Sequence, residues 1–450
     1  MRTNTYRLLL LPFLILSVLT HVLAQQTPPL PVLTLEQSIN LALEKNRMLK
    51  QAREATNKAQ ARIVEAKAEG YPHISLSSSY IQRDSAYDKL PLAVGIDNSI
   101  PAKPSLIFDT EPMVLENSSS AGIRLNKVVD INGLQRATTR AANIGAQITD
   151  LELARARNEL ILLVKQSYYN ALRARDLMAV ADETVKNAQT RLSIAQALVK
   201  NGVNPKLDIY RAETSVATAQ QTQIGARNTY ELTKATLNNI IGRQVDTAFE
   251  VQVTDEPAIS EGSFDALIKE AVIRRPEVIM AAKGFALVKQ QEIIARRGQM
   301  PSLVLSVGSD YDLLHQFDKY LTSYASVAIQ IPLFDGWETK GRIAQAKSDM
   351  ESAKITEDNT REMIALEVRQ TSLSLNNTRE QVTAADKARQ QATESLRVSR
   401  ARYQAGVGDQ LELSDAELAY TQAQENLVNA RYAVLVSQAS LAKALGRYTQ

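Results

Sequence analysis

Two long stretches of this chain contain no proline, and each is too long to fold as one helix inside a globular domain. They cover residues 133–200 and 339–404. A single helix of roughly 68 residues would extend about 100 Å at 1.5 Å per residue. The apolar residues of the first stretch recur at helical spacing in a narrow stripe that includes Ile144, Ile148, Leu151, Ile161, Tyr168 and Leu172. Such a stripe with polar flanks predicts coiled-coil packing on one side of the helix and water on the others.

Each long stretch ends in a glycine-containing turn, after which a second helix is predicted to run back along the first. The two turns have the sequences Asn201-Gly202-Val203 and Ala405-Gly406-Val407. Glycine is favoured just past a helix because it adopts the left-handed conformation that ends the helix without a steric penalty. The sequence therefore predicts two helical hairpins, at 133–242 and 339–445.

The two hairpins belong to an internal duplication that covers most of the chain. Matching landmarks occur in the same order in both halves, namely Tyr71-Pro72 with Met300-Pro301 and Gly242-Arg243 with Gly446-Arg447. The repeats are predicted at 25–243 and 263–450, joined by an irregular linker at 244–262. Each repeat has the order helix, strand, loop, strand and helical hairpin. The first repeat also has an insertion within 84–117, which is predicted to be a long loop.

The first helix of the first repeat has a clear start and a clear stop. Thr34 with Gln37 three residues later forms the capping-box pattern that satisfies the first backbone N–H groups of a helix. Strong helix formers continue to about Glu69, and Pro72 prevents the helix from going further. One uninterrupted helix is predicted between Thr34 and Glu69.

Four segments alternate apolar and polar residues with a period of two, which predicts strands with one apolar face. They lie at 73–83, 119–129, 302–311 and 323–332. Their length of about ten residues is what a β-strand needs to cross a membrane. Four strands do not close into a barrel, and an open sheet in lipid leaves unpaired backbone groups that cost several kcal/mol each. Several copies must therefore combine their strands, and three copies would give twelve.

The first 24 residues have the features of a secretory signal peptide. Arg2 and Arg7 precede a short apolar core, and the cleavage pattern ends at Ala24, so the mature chain is expected to begin at Gln25. The absence of cysteine excludes a disulfide framework and a lipid-modified cysteine. No later stretch is apolar enough for a transmembrane helix, so strands are expected to hold the chain in a membrane. The mature chain keeps 50 of the 52 basic residues against 49 acidic ones, so nucleic acid is not an expected partner.

With these features in this order, the sequence resembles the TolC-type outer membrane efflux proteins. The resemblance covers about residues 33–447 and rests on duplicated helix-strand-strand-helix halves, on glycine turns at both hairpin ends, and on the segment Ile331-Pro332-Leu333-Phe334-Asp335-Gly336. It implies a mainly α-helical homotrimer with a twelve-stranded membrane β-barrel on a long α-helical coiled-coil tunnel. It also implies a location in the cell outer membrane, with the tunnel extending into the periplasm.

The resemblance further implies a conduit for efflux or type I secretion, not an enzyme. Its partners would be a periplasmic adaptor (membrane fusion) protein and an inner-membrane transporter, and its cargo would be drugs, small toxic molecules, metal ions or secreted proteins. The chain departs from the family pattern at three places. Val128 stands where the second half has Pro332, and Arg47 stands where the second half has Pro276. These two departures concern how the ends of a strand and a helix bend. The third is the absence of the lipid-modified cysteine that some members carry, which predicts anchoring by the barrel alone.

Acidic residues follow both tip turns and are the candidates for a periplasmic gate. Glu412 and Asp415 are three residues apart, which places both carboxylates on one face of a helix. The alternative is that they only favour the dipole of a helix near its N-terminus. The resemblance implies that they ring the closed entrance of the channel. In the first half the corresponding residues are Asp208 and Arg211, so a salt bridge between the two hairpins is a further prediction.

The tip turns themselves are the candidates for contact with an adaptor. The resemblance implies this for Gly202, Val203, Gly406 and Val407, although the glycines also have the simpler explanation that they permit the turns.

Three features argue against catalysis and against a bound cofactor or metal. His73 and His315 have no His or Cys partner at metal-ligand spacing. The chain has no phosphate-binding loop of the GxxxxGK[ST] type, so energy must come from a partner. No set of acid, base and nucleophile is present in the sequence. The main alternative to a channel is a soluble periplasmic coiled-coil scaffold or adaptor protein, in which the strands form a small sheet. An exported enzyme is the third possibility.

Overall fold

The computed structural model describes four ranges of the chain, 31–82, 117–253, 262–313 and 321–448. The predicted signal peptide at 1–24, the predicted loop up to residue 116 and His315 lie outside the described residues. In chain order the elements are β1 (Val32–Leu33), α1 (Leu35–Lys45), α2 (Arg47–Ala68), β2 (His73–Gln82), β3 (Asn117–Val129), α3 (Leu134–Lys200), α4 (Leu207–Ile240), β4 (Glu250–Val251), α5 (Phe264–Arg274), α6 (Pro276–Arg297), β5 (Ser302–Asp312), β6 (Leu321–Gln330), α7 (Glu338–Gln404) and α8 (Gln410–Ala444).

Two very long helices set the length of the molecule. Helices α3 and α7 have 67 residues each, which corresponds to about 100 Å. Helix α4 runs back along α3 and α8 runs back along α7, which gives the two hairpins. The hairpins are joined by contacts between α3 and α8, and α6 packs against both α3 and α7. Among the described helices, none has the combination of length and apolar character needed to cross a membrane.

The four long strands form one antiparallel sheet in the order β2, β3, β5, β6, so the two repeats meet at the β3–β5 pair. Their ends differ from the predicted strand ends by no more than two residues. One face of the sheet is predominantly apolar and carries Ile74, Leu76, Ile123, Leu125, Leu303, Leu305, Val307, Val327 and Ile329. The opposite face carries Ser75, Ser77, Arg124, Asn126, Ser306 and Asp310. Strands β2 and β6 are the edges of this sheet, and each has a partner on one side only.

The prediction of one uninterrupted helix between Thr34 and Glu69 is wrong, because the chain breaks at Asn46. The capping box at the start is confirmed, since both hydrogen bonds between Thr34 and Gln37 are present. Asn46 then leaves the helix with φ −60° and ψ 132°, and its side chain accepts hydrogen bonds from the N–H groups of the next helix. The second repeat breaks at the same place with Pro276 in the first turn of α6. Both repeats therefore break the helix at the equivalent position, the first with an asparagine that caps the next helix and the second with a proline in its first turn.

A short parallel sheet closes the first repeat, and it includes part of the linker that was predicted to be irregular. Strand β1 pairs with β4, with Val32 opposite Glu250. The hydroxyl of the fully buried Tyr168 lies 2.9 Å from the carbonyl oxygen of Leu33 and 2.7 Å from that of Gln252. Tyr168 therefore fixes the ends of this sheet to the middle of α3, inside the main hydrophobic core.

A buried charge cluster holds the second repeat together in the same way. Arg275, at the junction of α5 and α6, is buried and bonds to Glu277 at 2.7 Å and to Glu367 on α7. Lys443 on α8 approaches Glu367 at 2.9 Å. Burial alone would raise the pKa of Glu367, but the hydrogen bonds and charges of Lys443 and Arg275 together lower it below its ordinary value.

Candidate functional site at the hairpin tips

The two glycine turns lie next to each other at the end of the hairpins farthest from the sheet. Gly202 and Gly406 both have left-handed backbones, with φ of 77° and 72°. A Cβ atom added to Gly406 would lie 3.5 Å from Cγ1 of Val203, so the turns are in contact. Val203 and Val407 are both exposed. The tips thus present a small apolar surface to whatever lies beyond them.

Behind the turns, the hairpins meet around a buried tyrosine. Tyr403, near the end of α7, is fully buried and packs with Leu396, Leu413 and Ala416. Burial raises the pKa of its hydroxyl, and the nearby carboxylate of Asp208 raises it further. These contacts tie the first turn of α4 to the end of the second hairpin.

Asp208 occupies a different environment from the one expected of a residue lining an entrance. It is 7% exposed, and its carboxylate accepts a hydrogen bond of 2.8 Å from the side chain of Asn204. The side chain of Gln410 in turn donates to the backbone carbonyl of Asp208 at 3.1 Å. Asp208 therefore joins the two tips inside one chain, and its carboxylate is not available to a water-filled passage.

The other predicted gate residues differ in how free their charges are. Glu412 accepts a bond of 3.1 Å from Arg402 and one of 3.3 Å from Ser399, both on the helix that leads into its own turn. Asp415 and Arg211 are exposed, and neither forms an ion pair with another described residue of the same chain. Asp415 therefore has the freer negative charge, and a salt bridge from Arg211 would require a second copy of the chain.

A buried ion pair that the sequence analysis missed connects the hairpins above the tips. Nη1 of Arg191 on α3 lies 2.7 Å from Oε2 of Glu417 on α8, and their side chains are 4% and 12% exposed. Arg191 also bonds to Ser215 on α4, and Arg400 on α7 approaches Glu417 at 3.9 Å. Burial raises the pKa of Glu417 although both arginines oppose the shift. Residues from all four long helices therefore meet around the Arg191–Glu417 pair.

The sequence did contain a signal for this pair. The buried residues Ala188 and Ala195 lie three positions before and four positions after Arg191, so Arg191 occupies a position of the apolar seam. A charged residue at a seam position of a coiled coil has to find a buried partner. The partner itself was not predictable, because it comes from the other repeat.

The polar face of the sheet has its own ordered cluster. Nε of Arg124 on β3 donates to the hydroxyl of Tyr324 on β6 at 2.7 Å, across the intervening strand. The ring of Tyr324 lies over Gly308, where an added Cβ would be 2.6 Å from Cζ of the ring. Nη2 of Arg124 is 3.6 Å from Asp310. Glycine at position 308 thus makes room for a contact that spans three strands.

A sheet with one apolar and one polar face, continued by hairpins of about 100 Å, defines a membrane channel protein with a long extension outside the lipid. Comparison with known proteins gives the family. The model of the outer membrane efflux proteins matches residues 38–243 and 267–447. The chain belongs to the outer membrane efflux protein family, and it is an outer membrane channel.

Individual relatives are distant but extend over most of the chain. The outer membrane protein TolC of Escherichia coli is 22% identical over 394 residues, which are 82% of this chain and 79% of TolC. The pyoverdine export outer membrane protein OpmQ of Pseudomonas putida is 24% identical and covers 92% of this chain and 85% of its own length. A crystal structure of CusC superposes with a TM-score of 0.75 at 19% identity, covering 92% of both chains.

These findings confirm the predicted family, fold class and location in the outer membrane. The alternative of a soluble periplasmic scaffold or adaptor is thereby set aside. The family and the relatives named here are outer membrane and export proteins, in keeping with a conduit.

Proposed function

We propose that three copies of this chain form one continuous duct that carries cargo from the periplasmic side of the outer membrane to the cell exterior. The observation that carries the proposal is a four-stranded sheet with an apolar face and two unpartnered edges, β2 and β6. Unpaired backbone groups in lipid cost several kcal/mol each. Pairing β6 of one copy with β2 of the next removes every edge, and three copies give a closed barrel of twelve strands.

The long helices support the same assembly. Exposed apolar residues on α7 recur at Ile355, Leu366 and Leu373. The spacings place all three on one stripe of the helix, because both are close to whole numbers of helical turns. An apolar stripe on an otherwise polar helix is suited to packing against a neighbouring helix. In the proposed trimer that helix belongs to the next copy, and the joined hairpins form the wall of a tunnel.

We place the periplasmic entrance of the proposed duct at the hairpin tips. Opening would require the second hairpin to move away from the first, so the contacts between them determine how firmly the entrance stays closed. These contacts are the Arg191–Glu417 pair and the packing around Tyr403 and Asp208. Threefold symmetry would bring three exposed Asp415 carboxylates near one axis, together with the compensated Glu412 side chains. Rings of acidic residues favour cations in a pore.

The proposed partners are a periplasmic adaptor protein at the tips and an inner-membrane transporter that supplies the energy. Exposed Val203 and Val407 beside two glycines give the tips an apolar surface with little steric bulk, which suits contact with another helical protein. The relation to a pyoverdine export protein supports a role in export of small molecules.

Site-directed cross-linking tests the assembly sharply because the chain has no cysteine of its own. Ser77→Cys on β2 is combined with single cysteines placed in turn along β6 (Leu321–Gln330). We expect oxidation to produce covalent trimers for one register of β6 positions, with every second position reacting because side chains alternate between faces. Ser75→Cys combined with Arg124→Cys, a directly opposed pair within one chain, is the matched control and should give only monomers. Monomers for every β2–β6 pair would contradict the trimer.

A further inference from the structure

The polar face of the four-stranded sheet is rich in serine and carries one strongly basic side chain. Its serines are Ser75, Ser77, Ser79, Ser118, Ser120, Ser302, Ser306 and Ser326. Within the described strands, Arg124 is the only arginine or lysine on this face, since Lys127 lies on the apolar face. In the proposed trimer the polar face lines the water-filled bore of the barrel, so the inference made from it rests on the proposed function.

The guanidinium of Arg124 is held from two sides. Its Nε donates to the hydroxyl of Tyr324 at 2.7 Å, and its Nη2 lies 3.6 Å from the carboxylate of Asp310. We refer to Arg124, Tyr324 and Asp310 as the polar-face cluster. A guanidinium has five N–H donors, of which the bond to Tyr324 uses one. The side chain of Arg124 is 45% exposed, so donors remain for a group that comes from the bore.

Two glycines allow the neighbours of Arg124 to lie against the wall. Gly308 is opposite Tyr324 and Gly122 is opposite Asp310 in the sheet. A Cβ atom added to Gly308 would overlap the ring of Tyr324, and one added to Gly122 would collide with the carboxylate of Asp310. Both side chains therefore fold down onto a glycine of the adjacent strand. The cluster is a packed arrangement and not a chance contact between long, mobile side chains.

The acidic residues of the polar face weaken the positive charge of Arg124 without removing it. The Arg124–Asp310 pair is longer than a hydrogen bond and open to water, so the two charges attract each other only weakly. Asp312 lies four residues beyond Gly308 on β5, which is about 14 Å along the strand. A group that has to pass through a pore must be bound weakly enough to leave again. A partly compensated guanidinium meets that condition.

We propose that the polar-face cluster is a transit site in the barrel for the carboxylate or phosphate groups of cargo. The planar guanidinium offers two parallel N–H donors to such an anion. Ser75 lies opposite Arg124 on β2, and its hydroxyl can donate to the same anion. Three copies would place three of these sites at one level of the bore. The barrel then prefers anions, whereas the acidic tips prefer cations.

Reporter cysteines measure this preference directly, because the chain has no cysteine of its own. Ser326→Cys lies diagonally across from Gly308 in the sheet, about 7–8 Å away. The full-length protein in a neutral detergent is treated with two thiol reagents of similar size, the anionic sulfonatoethyl and the cationic trimethylammonioethyl methanethiosulfonate. The measured quantity is the ratio of the anionic to the cationic reaction rate. The intrinsic reactivity of the thiol cancels in this ratio.

At an ionic strength of about 0.01 M, Arg124→Gln should lower the ratio at Ser326→Cys about fourfold. The reagents differ by two charges, and a unit charge at this distance in water is little screened under these conditions. Arg124→Lys keeps the charge and should keep most of the ratio. Asp310→Asn should raise the ratio by a smaller factor, because Asp310 pairs with Thr322 and lies farther from the reporter.

A second reporter gives the matched control for distance. Ser79→Cys is on the polar face opposite Ser120, four residues from Arg124 along the strand direction, or about 14 Å. Arg124→Gln should change its ratio only about twofold, and a salt concentration of about 1 M should abolish both effects, since the screening length is then about 3 Å.

Binding is separated from simple attraction by exchanging the anion of the buffer. Inorganic phosphate in place of chloride at equal ionic strength should lower the ratio at Ser326→Cys, because phosphate bound to the guanidinium cancels its charge. The ratio in Arg124→Gln should be the same in both buffers. An equal ratio in phosphate and chloride for the protein with Arg124 would overturn the transit site.

The remaining outcomes also contradict the proposal, each for a different reason. An unchanged ratio in Arg124→Gln would show that the guanidinium does not set the local potential. An equal fall in Arg124→Lys and Arg124→Gln would show that packing and not charge is responsible. If neither reagent modifies Ser326→Cys or Ser79→Cys while both modify Leu76→Cys on the apolar face, the polar face does not line a water-filled bore. The proposed duct then fails together with the site.

Discussion

Replacing Arg191 with methionine should loosen the proposed entrance far more than replacing any exposed arginine of the same helix. The substitution keeps a long side chain in the seam of α3 but removes the charge that faces Glu417 at 2.7 Å. Removing one partner of a buried ion pair costs about 3–5 kcal/mol, because the other charge stays buried without compensation. Glu417 keeps Arg400 at 3.9 Å and has some exposure, so we expect a cost below that range, about 2 kcal/mol per chain.

A change of about 2 kcal/mol shifts an equilibrium roughly thirtyfold. If the hairpins separate when the entrance opens, Arg191→Met should shift the hairpin equilibrium of each chain toward separation by about that factor, and the high-conductance state of the trimer should be at least that much more populated in planar-bilayer recordings. The matched control is Arg155→Met, since Arg155 forms an exposed pair with Glu159 one turn away on the same helix. Such a pair contributes only about 0.3–0.5 kcal/mol, so the control should conduct like the unmodified protein.

The double change Arg191→Met with Glu417→Gln completes a thermodynamic cycle. Removing both charges leaves no uncompensated ion in the seam, so the double variant should lie closer to the unmodified protein than Arg191→Met alone. The reasoning is refuted if Arg191→Met conducts like Arg155→Met. It is equally refuted if the separate effects of Arg191→Met and Glu417→Gln add up to the effect of the double variant, because such additivity means that the two residues do not interact.

Three further outcomes follow from other contacts. The Glu367 carboxylate has a lowered pKa in the folded protein. Its contribution to stability is therefore complete at pH values above the ordinary pKa of glutamate and is lost as the pH falls through the lowered pKa of the folded state. The difference in unfolding temperature between the unmodified protein and Glu367→Gln should be largest at neutral pH and should vanish at sufficiently acidic pH. Because Glu412 is already compensated within its own hairpin, Asp415→Ala should account for most of the loss of cation preference in bilayer recordings, and equal effects of Glu412→Ala and Asp415→Ala would contradict this. Gly308→Ala should displace the ring of Tyr324 and lower the free energy of unfolding by about 1 kcal/mol, measured by denaturation of the detergent-solubilised protein, and an unchanged value would show that the ring moves at no cost.

The helices and strands that could be predicted are those whose apolar residues recur regularly over a long segment. The stripe on α3 and the alternation in β5 each extend over enough residues to exclude other structures. The break at Asn46 was not predictable by the same means, because helix formers occur on both sides of it. Proline marks the equivalent break in the second repeat, so comparison of Arg47 with Pro276 contained the hint.

The candidate site was only partly predictable, because its main contacts join residues from different repeats. The turns at Gly202 and Gly406 could be located from local sequence alone. The burial of Asp208 and the partner of Arg191 depend on how α8 packs against α3, which no local pattern specifies. The acidic residue expected to face the entrance is buried for the same reason.

The short sheet that joins Val32 to Glu250 has a consequence for the order in which an exported chain can fold. These residues are roughly 220 positions apart, so their pairing must wait until the whole first repeat has emerged from the secretion machinery and closed a large loop. The hydroxyl of Tyr168 then fastens both ends of that loop to α3. The first repeat can thus reach a closed form while the second is still crossing the inner membrane. The β3 edge has to stay free of wrong partners until β5 arrives, and that interval is when the chain is most exposed to aggregation.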